Sequence, residues 1–214
     1  MNSSRILSAP IHGLYAITPD ETDSARLLAL VQAAISGGAK VIQYRNKRAD
    51  QSLRIEQSRL LLTLCRRHQI PLIINDDPEL CRDIGADGVH IGANDGALGD
   101  ARALLGSHAI IGASCYNDMS LARLAQEQGA DYVAFGACFP SVTKPHAVRA
   151  GLDLFSQGRR LLEVPMVAIG GITLQNASSV IEAGAHSIAV ISDLFDAEDV
   201  SQTAKQYANL FTTN

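Results

Sequence analysis

The chain has 214 residues, 47% hydrophobic and 19% charged, with a formal net charge of -4. Such a composition belongs to a globular protein with one large core or two small ones, and the negative balance gives no electrostatic case for nucleic acid as a bulk partner. No run approaches the roughly 18 apolar residues of a membrane helix, and MNSSRILSAP lacks the apolar stretch of a secretory signal, so no membrane partner is expected. Cys65, Cys81, Cys115 and Cys138 form no C-x-x-C pair. They read as reduced thiols of a cytoplasmic protein, not as a zinc ribbon or a redox motif.

Short apolar runs recur along the chain, each followed by a helical pattern. The first is LYAIT (14–18), and SARLLALVQAAISGG (24–38) after it carries apolar residues at spacings of three and four. VIQY (41–44), LIIN (72–75), GVHI (88–91) and AIIGA (109–113) follow as strands. The helix after HIGAND is more weakly patterned, whereas SLARLAQEQGA (120–130) is clear. YVAFG (132–136), MVAIG (166–170) and SIAVI (187–191) complete the set, with a weak helix before VPMVAIGG. The Val and Ile content suits strands covered on both faces.

GGAKVIQY, GADGVHIG, GADYVAFG and GAHSIAVI share a Gly-Ala turn feeding every second strand, roughly 45–55 residues apart. Eight β/α units in a chain of this length predict a single (β/α)8 TIM barrel over 1–214, with 1–12 as an N-terminal extension. An open doubly wound sheet would place a Gly-rich turn after its first strand, and LYAITPDET has none.

Barrel chemistry belongs at the C-terminal ends of the strands. Those ends carry Gln43, Arg45 and Lys47; Asn75 and Asp76; Asp95; Ser114; Ser141, Thr143 and Lys144; Gly170 and Gly171; and Ser192. Two carboxylates from different loops repel unless a cation lies between them. Mg2+ takes hard oxygen ligands and commonly shares them with phosphate oxygens, while Arg and Lys neutralise the rest of a dense anion. A pyrophosphate with Mg2+ fits the set. The glycines of AIGGI suggest a second, monophosphate ligand at strands seven and eight. In PLIINDDPEL, Asp77 before Pro78 reads as a helix N-cap, which leaves Asn75 and Asp76 for the site.

LYAIT, QYRNK, LIINDD, GADGVHIGANDG, IIGASCY, GADYVAFGACFPSVTKP and VAIGGI, in this order, resemble the thiamine-phosphate synthase family over residues 13 to 195. The resemblance implies a transferase of thiamine biosynthesis that joins hydroxymethylpyrimidine pyrophosphate to a thiazole phosphate, carboxylated or not, and releases pyrophosphate. The resemblance further implies that departure of the leaving group precedes attack, so the protein is expected to supply charge stabilisation and positioning rather than a nucleophile. The resemblance places Gln43, Tyr44, Arg45, Asn46, Lys47 and Asn75 on the pyrimidine pyrophosphate, with Ser114 near the reacting centre. Asp76 and Asp95 match the Mg2+ ligands. Ser141, Val142 and Thr143, with Gly171, Ile191 and Ser192, match the thiazole phosphate site, and Lys144 reaches the pyrophosphate. Arg45, Lys47, Ser114 and Lys144 are the implied catalytic groups. Three positions depart from the family pattern: Asn46 stands where Glu is usual, Ser141 where Thr is usual, and Ala93 where Gln is usual.

A thiazole tautomerase-like barrel would not need Arg45, Lys47, Asp76, Asp95 and Lys144 together. A noncatalytic thiazole phosphate-binding barrel would bind without turnover. Oligomeric state is open from sequence.

Overall fold

The computed structural model describes residues 11–92, 97–140 and 149–212. Eight parallel strands close into a barrel in chain order: β1 (Gly13–Ile17), β2 (Val41–Tyr44), β3 (Leu72–Asn75), β4 (Gly88–Ile91), β5 (Ile110–Tyr116), β6 (Tyr132–Phe135), β7 (Met166–Ile169) and β8 (Ser187–Val190). Around them lie α1 (Ser24–Ser36), α2 (Gln51–Arg67), α3 (Pro78–Ile84), α4 (Leu98–Leu105), α5 (Met119–Glu127), α6 (Leu152–Leu161) and α7 (Ala177–Ala183). After β8 comes a short helix, α8 (Ser192–Phe195), and then α9 (Val200–Asn209), which packs on α1. The (β/α)8 barrel expected from the alternation is therefore present, and both weakly patterned helices form as α4 and α6.

Alternation along the strands sorts side chains into two cores. Tyr15, Ile17, Val41, Ile73, Tyr132, Ala134, Val167 and Ala189 fill the barrel, while residues such as Leu14, Ile42, Leu72 and Val133 face the helices. Gly112 is needed inside: a Cβ there would lie 2.0 Å from Cζ of Tyr132. Ile11 is buried in the interior cluster, and the His12 ring meets Phe211 at 5.2 Å.

The Gly-Ala repeat has two physical causes. First, each pair ends a helix. Gly38, Gly85, Gly129 and Gly184 have φ of +110°, +71°, +87° and +122°. The following alanine donates back to the carbonyl five residues earlier, as in Ala39 to Ala34 (3.0 Å) and Ala130 to Ala125 (2.9 Å). This is the left-handed closure of a Schellman cap. Second, in three repeats the next residue accepts from the backbone that opens the preceding strand. Asp87 accepts from Leu72 N at 2.9 Å, Asp131 from Ile111 N at 2.7 Å, and His186 Nδ1 from Met166 N at 3.1 Å. Both devices sit on the face where barrels keep their stability, opposite the chemistry.

Candidate active site

The C-terminal ends of β2 and β3 frame a cavity of about 330 Å³ whose walls include Arg45, Lys47, Arg54, Asn75, Asp76 and Asp77. The loop after β2 is held by the end of β1. Thr18, fully buried, accepts from Arg45 N at 2.9 Å and donates to Arg45 O at 2.8 Å. Asp20 pairs with the Arg45 guanidinium at 3.1 Å and accepts from Lys47 N at 2.7 Å. Asp20 therefore holds the Arg45 guanidinium and the backbone of Lys47.

Asn46 also lines this cavity and is 6% exposed. Its Oδ1 accepts from Arg48 N and Ala49 N, both at 3.1 Å, and its Nδ2 donates to Glu21 O and to Gln57 Oε1. Its four side-chain bonds are all internal and hold the loop after β2. Tyr44 donates to Gln57 Oε1 at 3.0 Å behind the strand.

At the end of β3, Asn75 Nδ2 donates to Asp76 Oδ2 at 2.5 Å, and Lys47 Nζ stands 3.9 Å from the same oxygen. Asp76 adopts φ +61°, a left-handed conformation uncommon for a non-glycine residue and concentrated at functional sites. Asp77 caps α3 as expected, accepting from Leu80 N at 2.9 Å with Pro78 in the first turn. It also meets Arg54 Nη1 at 3.7 Å. Arg54 Nε is buried without a hydrogen-bond partner among the described residues. A buried donor lacking an acceptor on a cavity wall is what a bound anion would satisfy.

Inside the barrel mouth, Gln43 (3% exposed) donates to the Tyr15 hydroxyl rather than reaching outward. Ser114 lies within β5, which runs to Tyr116 through a bulge instead of ending at 113. Its Oγ is 2.9 Å from His90 Nε2. Asp76 N donates to the His90 carbonyl at 2.9 Å, which ties the β3 and β4 ends together. Across the mouth, Gly170 and Gly171 turn with φ of +91° and +66°. A Cβ on Gly171 would lie 2.5 Å from the Pro140 carbonyl oxygen, so close packing against the segment after β6 already requires glycine. Ile191 precedes Ser192, which opens α8. Asp95, Ser141, Val142, Thr143 and Lys144, together with Ala93, lie outside the described residues.

The four cysteines are free and buried. Burial pushes the Cys115 and Cys138 thiols up to about 12, so neither supplies a thiolate nucleophile near neutral pH. No group of three His, Cys, Asp or Glu side chains suited to a metal occurs among the described residues. Asp20, Thr18 and Arg54 were not anticipated from sequence. TPDE at the end of β1 meets the same strand-end criterion as the other loops, and Arg54 is one turn into α2.

A closed parallel barrel with cations and hard oxygen donors gathered at its strand ends defines a TIM-barrel enzyme. The family profile described as thiamine monophosphate synthase matches residues 14–194. The thiamine-phosphate synthase of Methylobacillus flagellatus is 56% identical over 202 residues, covering 94% of this chain and 96% of that one. That of Aromatoleum aromaticum is 52% identical, covering 94% and 97%. The solved thiamine phosphate pyrophosphorylase of Pyrococcus furiosus superposes with a TM-score of 0.85 at 32% identity, covering 94% and 96%. The chain is a transferase and belongs to the thiamine monophosphate synthase family.

Proposed function

We propose that the chain catalyses thiamine phosphate formation from hydroxymethylpyrimidine pyrophosphate and a thiazole phosphate, with release of pyrophosphate. The observation that carries the pyrophosphate site is the unpartnered, buried Arg54 Nε beside Arg45 and Lys47 on one cavity wall. Arg45 and Lys47 hold phosphate oxygens with Asn75, and Lys144 joins them from the loop after β6. Their charge stabilises the leaving group as its bond to the pyrimidine methylene breaks. The thiazole nitrogen then closes on that carbon, and the protein's part is to hold the two ligands in line. Ser114 contacts the pyrimidine at the reacting centre.

The donor set at the β3 end fits Mg2+. Asp76 supplies a hard carboxylate oxygen beside the Asn75 amide, and the ion commonly completes its shell with water and phosphate oxygens. Asp76 and Asp95 would hold the ion, which when bound screens the charge on departing pyrophosphate. The thiazole phosphate is assigned to Ser141, Thr143, Gly171, Ile191 and Ser192. The glycine turn after β7 and the start of α8 directly after β8 support that placement, since barrel phosphate sites recur there. The chain acts as a single-domain enzyme on small molecules. Four free thiols suit the cytoplasm. Among the described residues no helix is long and apolar enough to cross a membrane.

The test is pyrophosphate release with both precursors, with and without EDTA, for the wild type, Asp76→Asn and Lys144→Ala. Loss of turnover on chelation and in both variants is expected. Full activity in EDTA would remove the metal from the mechanism.

A further inference from the structure

A chain of buried polar groups crosses the barrel interior, and its direction decides what Ser114 offers a ligand. Gln43 Nε2 donates to the Tyr15 hydroxyl at 2.8 Å, and the Tyr15 and Tyr132 oxygens lie 2.8 Å apart. The Tyr132 oxygen is 3.0 Å from His90 Nδ1, and His90 Nε2 is 2.9 Å from Ser114 Oγ. Burial pushes the pKa of both tyrosines upward, so each hydroxyl keeps its hydrogen.

Tyr15 accepts from Gln43, and among the described residues its own hydrogen has one acceptor, the Tyr132 oxygen. Tyr132 in turn accepts from Tyr15 and places its hydrogen on His90 Nδ1. A neutral imidazole carries one N–H, so with Nδ1 accepting, that hydrogen is on Nε2 and points to Ser114. Ser114 accepts it and keeps its own hydrogen to give.

The opposite polarity would be that of an activated serine, with Nδ1–H donated to Tyr132 and Nε2 accepting from Ser114. Tyr132 would then donate to Tyr15. With the Gln43 amide presenting Nε2 to Tyr15, the Tyr15 hydrogen would be left facing the amide hydrogens, a buried donor without an acceptor. The space for this chain is reserved: Gly112 clears the Tyr132 phenol, and the His90 ring stacks on Tyr132 at 26° and 5.6 Å.

We infer that Tyr132, aligned by Tyr15, is a positioning residue that holds His90 as its Nε2–H tautomer and so makes Ser114 a hydrogen-bond donor to the bound pyrimidine substrate. The tautomer stands independently of the reaction; the step to substrate rests on the placement of Ser114 under the proposed function.

Histidine 15N labelling of the ligand-free protein at about pH 7.5 reads the tautomer directly. The expected spectrum has His90 Nδ1 unprotonated and Nε2 protonated. Tyr132→Phe should shift both resonances toward a two-tautomer average, whereas Tyr15→Phe, which leaves the Tyr132 donor in place, should shift them less. In turnover, Tyr132→Phe should lower kcat about tenfold, the worth of one oriented hydrogen bond, with the KM for thiazole phosphate within about twofold. A wild-type His90 protonated on Nδ1, or on both nitrogens, overturns the inference, and that reading does not depend on Tyr132→Phe folding. The expected tautomer with unchanged kcat in a folded Tyr132→Phe overturns the role in the reaction. A wild type without synthase turnover would instead count against the proposed function and leave the spectrum to judge the tautomer.

Discussion

Gln69 is the one position where a Schellman-type cap among the described helices closes on a residue other than glycine. It adopts φ +58° after α2, donates to Arg66 O at 3.2 Å, and is followed by Ile70 N to Cys65 O at 3.0 Å. This is the bond pattern of Gly38, Gly85, Gly129 and Gly184. The Gln69 side chain is exposed, so Gln69→Gly changes little besides backbone preference. The left-handed conformation costs an L-residue about 1–2 kcal/mol, and glycine gives back about 0.5–1 kcal/mol through the freedom of its unfolded chain. The net expectation is stabilisation by about 0.5–1 kcal/mol, or a Tm rise of about 1–4 °C for a chain of this size. Gly129→Ala is the reverse experiment. Its Cβ would find its nearest neighbour, Arg102 Nε, at 3.9 Å, so no clash contributes and the φ of +87° alone should cost about 1 kcal/mol. Urea midpoints at unchanged m value measure both. A destabilised Gln69→Gly together with a neutral Gly129→Ala would refute the cap reading.

Asp20→Ala removes the 3.1 Å pair to Arg45 and the 2.7 Å bond from Lys47 N. Both partners are partly exposed, so about 1 kcal/mol, or about fivefold in kcat/KM for the pyrimidine substrate, is expected. Asp20→Asn keeps an acceptor for Lys47 N and should stay within about twofold of wild type; equal losses in the two variants would mean that charge, not orientation, is what Asp20 supplies. His186 accepts through Nδ1 from Met166 N, and burial, then Arg159 and His12, lower its pKa. The unfolded chain therefore binds this proton more readily, so the stabilisation is complete above the unfolded value of about 6.5 and is lost as pH falls through the folded value. Stability against urea should decline below about pH 6.5 in the wild type, and His186→Asp, which copies the Asp87 and Asp131 acceptors, should flatten that decline. An identical pH profile in the variant would dismiss His186 as its source.

Much of the barrel is legible because two-sided burial leaves a continuous apolar run bounded by turn residues. β2, β3 and β4 begin and end where VIQY, LIIN and GVHI do. β5 outruns its apolar stretch because its last residues line the mouth, where Ser114 and Tyr116 need not be apolar. α8 has four residues, too few to show a helical period. The site was legible as a pool of strand-end polar groups but not in its division of labour. Strand alternation already puts Val41, Gln43 and Arg45 on one face and Tyr44 and Asn46 on the other, which is why the latter two bond to Gln57 behind the strand. The direction of the Gln43–Tyr15–Tyr132–His90–Ser114 chain needed coordinates, because its members are separated by as many as 117 residues.

The decisive experiment is a stoichiometry. Purified protein with Mg2+ is given the pyrimidine pyrophosphate alone, the thiazole phosphate alone, and both, and 31P NMR follows each phosphorus species. One pyrophosphate per thiamine phosphate, formed when both precursors are present, is the predicted result. Thiazole phosphate bound without product would contradict it and leave a barrel that binds its ligand without joining it to anything.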